Sequence, residues 1–76
     1  MPAIQPRSFK DLSKVFERVG FLFVRQRGDH LIYGKKGVLR PLVIPMYESV
    51  PVFIIKNLLK TAKISREEYL RLLSEV

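Results

Sequence analysis

Cysteine is absent from this 76-residue chain, and histidine occurs once. Without cysteine there are no disulfides, which fits a reducing, cytoplasmic setting. Cysteine's absence and the single histidine together exclude a zinc site built within one chain, because such sites draw several ligands from these two residue types. Glycine is scarce. The four glycines stand at 20, 28, 34 and 37 and spell neither G-x-x-x-x-G-K-[ST] nor G-x-G-x-x-G, so no phosphate loop is present. Acids are also few: Asp11, Glu17, Asp29, Glu48, Glu67, Glu68 and Glu75 are scattered, which argues against a carboxylate dyad. No apolar run approaches the ~18 residues that span a membrane. The start, Met1 to Arg7, lacks the apolar middle of a secretory signal. The expectation is a cytoplasmic protein without metal, cofactor or membrane.

What the chain has in excess is positive charge. Fourteen Lys and Arg stand against seven Asp and Glu, a net charge of +7. Residues 1–47 hold nine bases and three acids, whereas residues 48–76 hold five and four. A basic excess concentrated in one part of a small domain is the footprint of a polyanion partner. Hydrophobic residues form 47% of the chain, enough for a folded core.

The hydrophobic pattern predicts one domain at 8–76 behind an N-terminal arm at 1–7. Ser8 is a helix N-cap with Asp11 three residues on. Phe9, Leu12, Val15, Phe16 and Val19 then follow at helical spacing, and Gly20 closes the helix. Residues 21–27, rich in aromatic and β-branched side chains, read as a strand. Gly28-Asp29 is a hairpin turn into a second strand at 30–33. Residues 38–44 read as a third strand, an edge or bulged one because it contains Pro41. A helix at about 51–62 begins with Pro51 in its first turn. Ser65 and Glu68 form the capping pattern of a last helix carrying Tyr69, Leu70 and Leu73. The order α-β-β-β-α-α implies an α+β domain in which helices cover one face of a three-stranded antiparallel sheet.

His30 is the one side chain suited to proton transfer near neutrality. It opens the second strand beside Arg25 and Arg27, which share a strand face because they alternate with Gln26. RNA carries its own nucleophile, the 2′-hydroxyl, so a histidine and cations suffice to cleave it. Arg25 and Arg27 are candidates for phosphate contacts. Lys35 and Lys36, in the next turn, and Arg40, on the third strand, extend the basic set. Tyr33 fits the core and Tyr47 a stacking role. Val52, Phe53 and Ile54 lie in an apolar run whose outer side is a partner-binding surface.

The stretch from Gly20-Phe21 through Arg25-Gln26-Arg27-Gly28-Asp29-His30 resembles the start of the HicA-like (YcfA-like) mRNA interferases. Val43-Ile44-Pro45 resembles their third strand, and Leu58 to Ser65 their second helix and its exit. The likeness covers roughly residues 8–73. It implies a double-stranded-RNA-binding-domain-like fold and a toxin that cleaves mRNA under stress with one essential histidine. It also implies a HicB-like antitoxin as partner. Carried across, the histidine is His30 and the turn glycine, close to RNA, is Gly28. The chain departs from the family pattern at Asp29, where serine is usual, and at Tyr47, where histidine is frequent. It departs again at Phe53 and Ile54, in place of glycine and threonine, and at Lys63, in place of glycine. Asp29 and Tyr47 are expected to support the site, Asp29 by orienting the imidazole. The basic surface predicts an acidic docking face on the antitoxin. A homo-oligomer is compatible with the composition. The alternative reading is a non-catalytic RNA- or DNA-binding module of the same fold.

Overall fold

Ser8 accepts a hydrogen bond from the Lys10 N–H at 3.2 Å, and this cap starts α1, Phe9–Arg18. The computed structural model describes residues 3–76, so Met1 and Pro2 of the expected arm lie outside the described residues. Leu12, Val15 and Phe16 turn one face of α1 into the core and are fully buried. Gly20, at φ +100°, reverses the chain. The Phe21 N–H then reaches back to the Phe16 carbonyl at 3.1 Å, satisfying a helix-end acceptor.

The strands are β1, Leu22–Arg27; β2, His30–Gly34; and β3, Leu42–Pro45. They pair antiparallel in the order β1-β2-β3. Two helices follow, α2, Val52–Ala62, and α3, Arg66–Leu73. The order and layout are those the hydrophobic pattern predicts. Tyr33, Leu42 and Ile44 are buried in the core with residues of all three helices, so the helices cover one face of the sheet. Every residue of β1, by contrast, is exposed. Phe16 and Leu58 are buried, as their positions on apolar stripes require. Phe16 meets Phe21 edge to face with 6.1 Å between ring centroids.

Three expectations need correction. The third strand is shorter than 38–44, because residues 38–41 form the loop before it. Pro41 thus precedes the ladder, and β3 is still an edge strand. Arg40 therefore stands in that loop and not on the strand. Pro51 is the N-cap of α2, one residue before its first turn. At the other end of α2, Lys63 adopts φ 59°, the left-handed conformation in which glycine usually ends a helix. At α3, the Ser65 hydroxyl accepts from the Glu68 N–H at 3.1 Å, as the S-x-x-E pattern predicts.

Two buried phenols give the fold an alkaline limit. Tyr33 donates to a Glu17 carboxylate oxygen at 3.0 Å, while the Tyr69 hydroxyl is buried with no protein partner among the described residues. Burial raises both phenols above the ordinary 10.0; Glu17 adds to the rise at Tyr33, and Arg7 opposes it at Tyr69. The neutral phenols are favoured in the folded state. Their contribution is therefore complete below about pH 10 and is lost as pH climbs through the raised values. Urea unfolding between pH 8 and 12 is expected to show stability falling above about pH 10. Tyr33→Phe and Tyr69→Phe should each make that fall shallower. An alkaline limb unchanged in both variants would place the loss elsewhere.

Candidate functional site

Residues directly opposite one another on paired strands project from the same face of a sheet. Arg27 pairs with His30, Arg25 with Ile32, and Ile32 with Val43. These pairs alternate with the inward-facing Tyr33–Leu42 and Leu31–Ile44 pairs, so they occupy the face that the helices leave open. Arg25 and Arg27 thus stand with His30 on one surface. The register shifts between Phe23 and Arg25, which makes Val24 the extra residue of a β-bulge. Phe23 pairs with the buried Tyr33 and meets its ring at 5.8 Å, so an unbroken alternation would send Arg25 toward the helices. The bulge reverses this and turns both arginines outward.

A shallow groove on this face is lined by Arg27, Gly28, Asp29, His30, Ile32 and Val43. Inside it, Asp29 Oδ1 lies 3.0 Å from His30 Nδ1. A carboxylate there favours the proton on Nδ1 and leaves Nε2 as the nitrogen free to take one. Both side chains remain accessible, at 44% for His30 and 69% for Asp29, so a ligand can reach them.

The turn that carries the pair is held from two sides. The Met46 N–H donates to the Asp29 carbonyl at 2.8 Å, tying the turn to the segment after β3. The Gln26 side-chain amide donates to the Gly28 carbonyl at 2.9 Å. Gly28 itself sits at φ 59°, the positive value that a two-residue hairpin turn demands at its first position. Tyr47 follows two residues after Pro45, which pairs with His30, and is 43% exposed at the same end of the sheet. Its carbonyl accepts from the Phe9 N–H at 3.0 Å, so the start of α1 is fixed there too.

The remaining residues singled out in the sequence are not part of this groove. Lys35 follows β2 at the end away from His30, with its Nζ 5.7 Å from the Phe21 ring centroid. Lys36 is exposed in the same turn. Arg40 lines a different groove, together with Gly37, Val38, Leu39, Lys60, Thr61 and Lys63. Of the apolar run opening α2, Phe53 is 66% exposed, whereas Ile54 packs against the core and Val52 is half-buried. Sequence reasoning missed the exposure of Leu22, Phe23 and Val24, at 72%, 54% and 60%. A run of apolar residues reads as buried, but Leu22, opposite Gly34, points to the open face, and Phe23, opposite Tyr33, stays exposed on an edge strand. It also missed Lys60 and Lys63 beside Arg40. Their i, i+3 spacing is a visible signal, but the pairing with the loop is tertiary.

The structure defines a small α+β domain with a lone histidine, its carboxylate partner and two arginines on an open sheet face. A family model described as the HicA toxin of bacterial toxin-antitoxin matches residues 9–64, and the chain belongs to that family. It accordingly takes the toxin part in a toxin–antitoxin pair. No curated protein matches the chain. Among the described residues, no helix is long and apolar enough to cross a membrane.

The Gly28 turn yields a direct test. A Cβ added at Gly28 meets nothing within 4 Å, so only its backbone conformation resists substitution. Gly28→Ala is expected to cost about 1 kcal/mol in chemical denaturation, with Gly28→Asn costing less because asparagine tolerates positive φ. Equal stability of all three proteins would contradict the turn geometry.

Proposed function

We propose that this toxin is a metal-independent endoribonuclease acting on mRNA in the cytoplasm, with His30 as its catalytic residue. The observation that carries the reading is the 3.0 Å Asp29–His30 contact on the same open face as Arg27 and Arg25. His30 Nε2 takes the proton of a 2′-hydroxyl. The 2′-oxygen attacks the adjacent phosphorus, the bond to the 5′-oxygen breaks, and that oxygen takes a proton from the solvent reaching the groove. A 2′,3′-cyclic phosphate and a 5′-hydroxyl result. Arg27 and Arg25 offset the charge gathering on the phosphate. Asp29 orients the imidazole, and Tyr47 borders the site. Gly28 keeps the turn free of a side chain beside the phosphate.

The open face also suits the antitoxin. We assign it a HicB-like partner whose acidic surface covers His30 and whose apolar residues meet Phe53, with Val52 and Ile54 beside it. Charge complementarity then speeds association, while the apolar contact slows release.

Two experiments test the nuclease reading. His30→Ala is expected to keep the fold and most RNA binding while losing cleavage by about 100-fold or more. Products of the parent should end in 2′,3′-cyclic phosphate, and cleavage should persist with a chelator present. Full activity without His30, or loss of activity on chelation, would overturn the mechanism.

The second experiment concerns affinity. Log affinity for single-stranded RNA should fall linearly with log salt, with a slope of about −0.7 per phosphate contact. Arg27→Ala or Arg25→Ala should make the slope shallower by about one contact. If both variants keep the parental slope and affinity, the RNA does not touch this face.

A further inference from the structure

At the other end of the sheet lies a second groove of about 380 Å³, between the β2–β3 loop and the C-terminal end of α2. Arg40 enters it from the loop, Lys60 from the last turn of α2, and Lys63 from the residue that caps the helix. Thr61 adds a hydroxyl, and no acidic residue lines the groove. From residue 34 to residue 63, Lys35, Lys36, Arg40, Lys56, Lys60 and Lys63 face Glu48 as the only acid. Among the described residues, none of Arg40, Lys60 and Lys63 has an ion-pair partner, although Arg7, Arg18 and Arg71 each do.

Three cations brought together without an acid repel one another, and an anion between them removes the repulsion. Lys60 and Lys63 have an ordinary explanation for their charge, since cations at the end of a helix offset its dipole. Arg40, on the loop, has no such explanation. Lys63 also holds a left-handed backbone, φ 59°, where glycine would be free of strain. A lysine retained there places charge at the groove at a conformational cost.

The groove lies beyond the end of the sheet opposite His30. His30 pairs with Pro45, while Arg40 stands two residues before Leu42, at the other end of β3. At about 3.4 Å per residue, Leu42 to Pro45 spans roughly 10 Å and Arg40 lies farther still. One bound nucleotide does not reach both sites, whereas a chain of several does. A polymer with a phosphate at each step matches this repetition of cations.

We propose that the groove formed by Arg40, Lys60, Thr61 and Lys63 is a second phosphate-binding site, which grips the backbone of an RNA strand at a distance from His30. The proposal rests on the RNA-cleaving reading of His30. It makes affinity depend on RNA length and places part of the salt dependence in residues remote from the chemistry.

The test uses the full chain carrying His30→Ala, so that bound RNA survives, with and without Lys60→Gln and Lys63→Gly together. Lys63→Gly relieves the backbone, so a melting midpoint equal to or above the parent's shows that the fold is intact. The probes are a dinucleotide and a fluorescent single strand of about 12 nucleotides, long enough to span both sites even at the ~3.4 Å per phosphate of a fully stacked strand. The proposal expects the longer strand to bind more tightly than the dinucleotide, and the double substitution to remove most of that gain. The salt slope for the longer strand should become shallower by about 0.7 per lost contact. An unchanged gain and slope would overturn the groove while leaving the His30 reading intact. Absence of RNA binding by the parent would overturn the His30 reading and the groove together. If the substitutions spare RNA but weaken an acidic partner protein, the groove is a protein-docking face and the proposal is wrong.

Discussion

Tyr33 and Leu42 face each other across the β2–β3 ladder, and both are buried against the helices. That pairing sets the phase of β2. Strand side chains alternate with a period of two, so fixing Tyr33 inward fixes Leu31 inward and sends His30 and Ile32 to the open face. A slip of one residue would bury the imidazole and expose the phenol. The Tyr33 hydrogen bond to Glu17 reinforces the choice, because a phenol taken out of water needs a partner and α1 supplies one. The placement of the histidine is thus decided by the packing of residues that have no chemistry of their own.

Much of this was legible in the chain itself. Ser8 and Ser65 cap the helices at the positions their spacing indicates, and Gly28-Asp29 forms the turn its composition demands. The helical stripe through Leu12, Val15 and Phe16 reads directly as core. What could not be read depends on distant partners. Residues 38–41 have the apolar content of a strand, yet β2 extends only to Gly34 and pairs with β3 no earlier than Leu42. Leu22 to Val24 look like core until the pairing shows them on an edge strand, with Leu22 on the open face. The spacing of Arg25 and Arg27 puts them on a common face, but which face follows from a bulge that composition does not announce. The adjacency of Asp29 and His30 was visible, whereas their 3.0 Å contact required the geometry of the turn.

Charge is distributed along the molecule more evenly than a division of the sequence implies. The C-terminal part is nearly neutral in total, because Glu48, Glu67, Glu68 and Glu75 offset its bases. In space two of those acids pair with arginines: Glu75 meets Arg18 and Arg71, and Glu68 meets Arg71. Lys60 and Lys63 thus line a groove without any carboxylate, although the count cancels their charge. Net charge of a segment is a poor guide to local potential when a turn such as the one at Lys63 sends its two halves to different sides.

The bulge at Val24 has a consequence for how the strand can vary in length. Arg25 through Arg27 already pair in regular register with Ile32, Leu31 and His30, and Leu22 and Phe23 with Gly34 and Tyr33. Val24 alone has no opposite number. Removing it would join two correctly phased halves, and the arginines would still face outward. Removing Arg25 or Gln26 instead would draw the remaining residues out of phase or abolish the arginine pair. The chain therefore contains one position in β1 where a deletion is silent for the site, flanked by positions where the same deletion dismantles it.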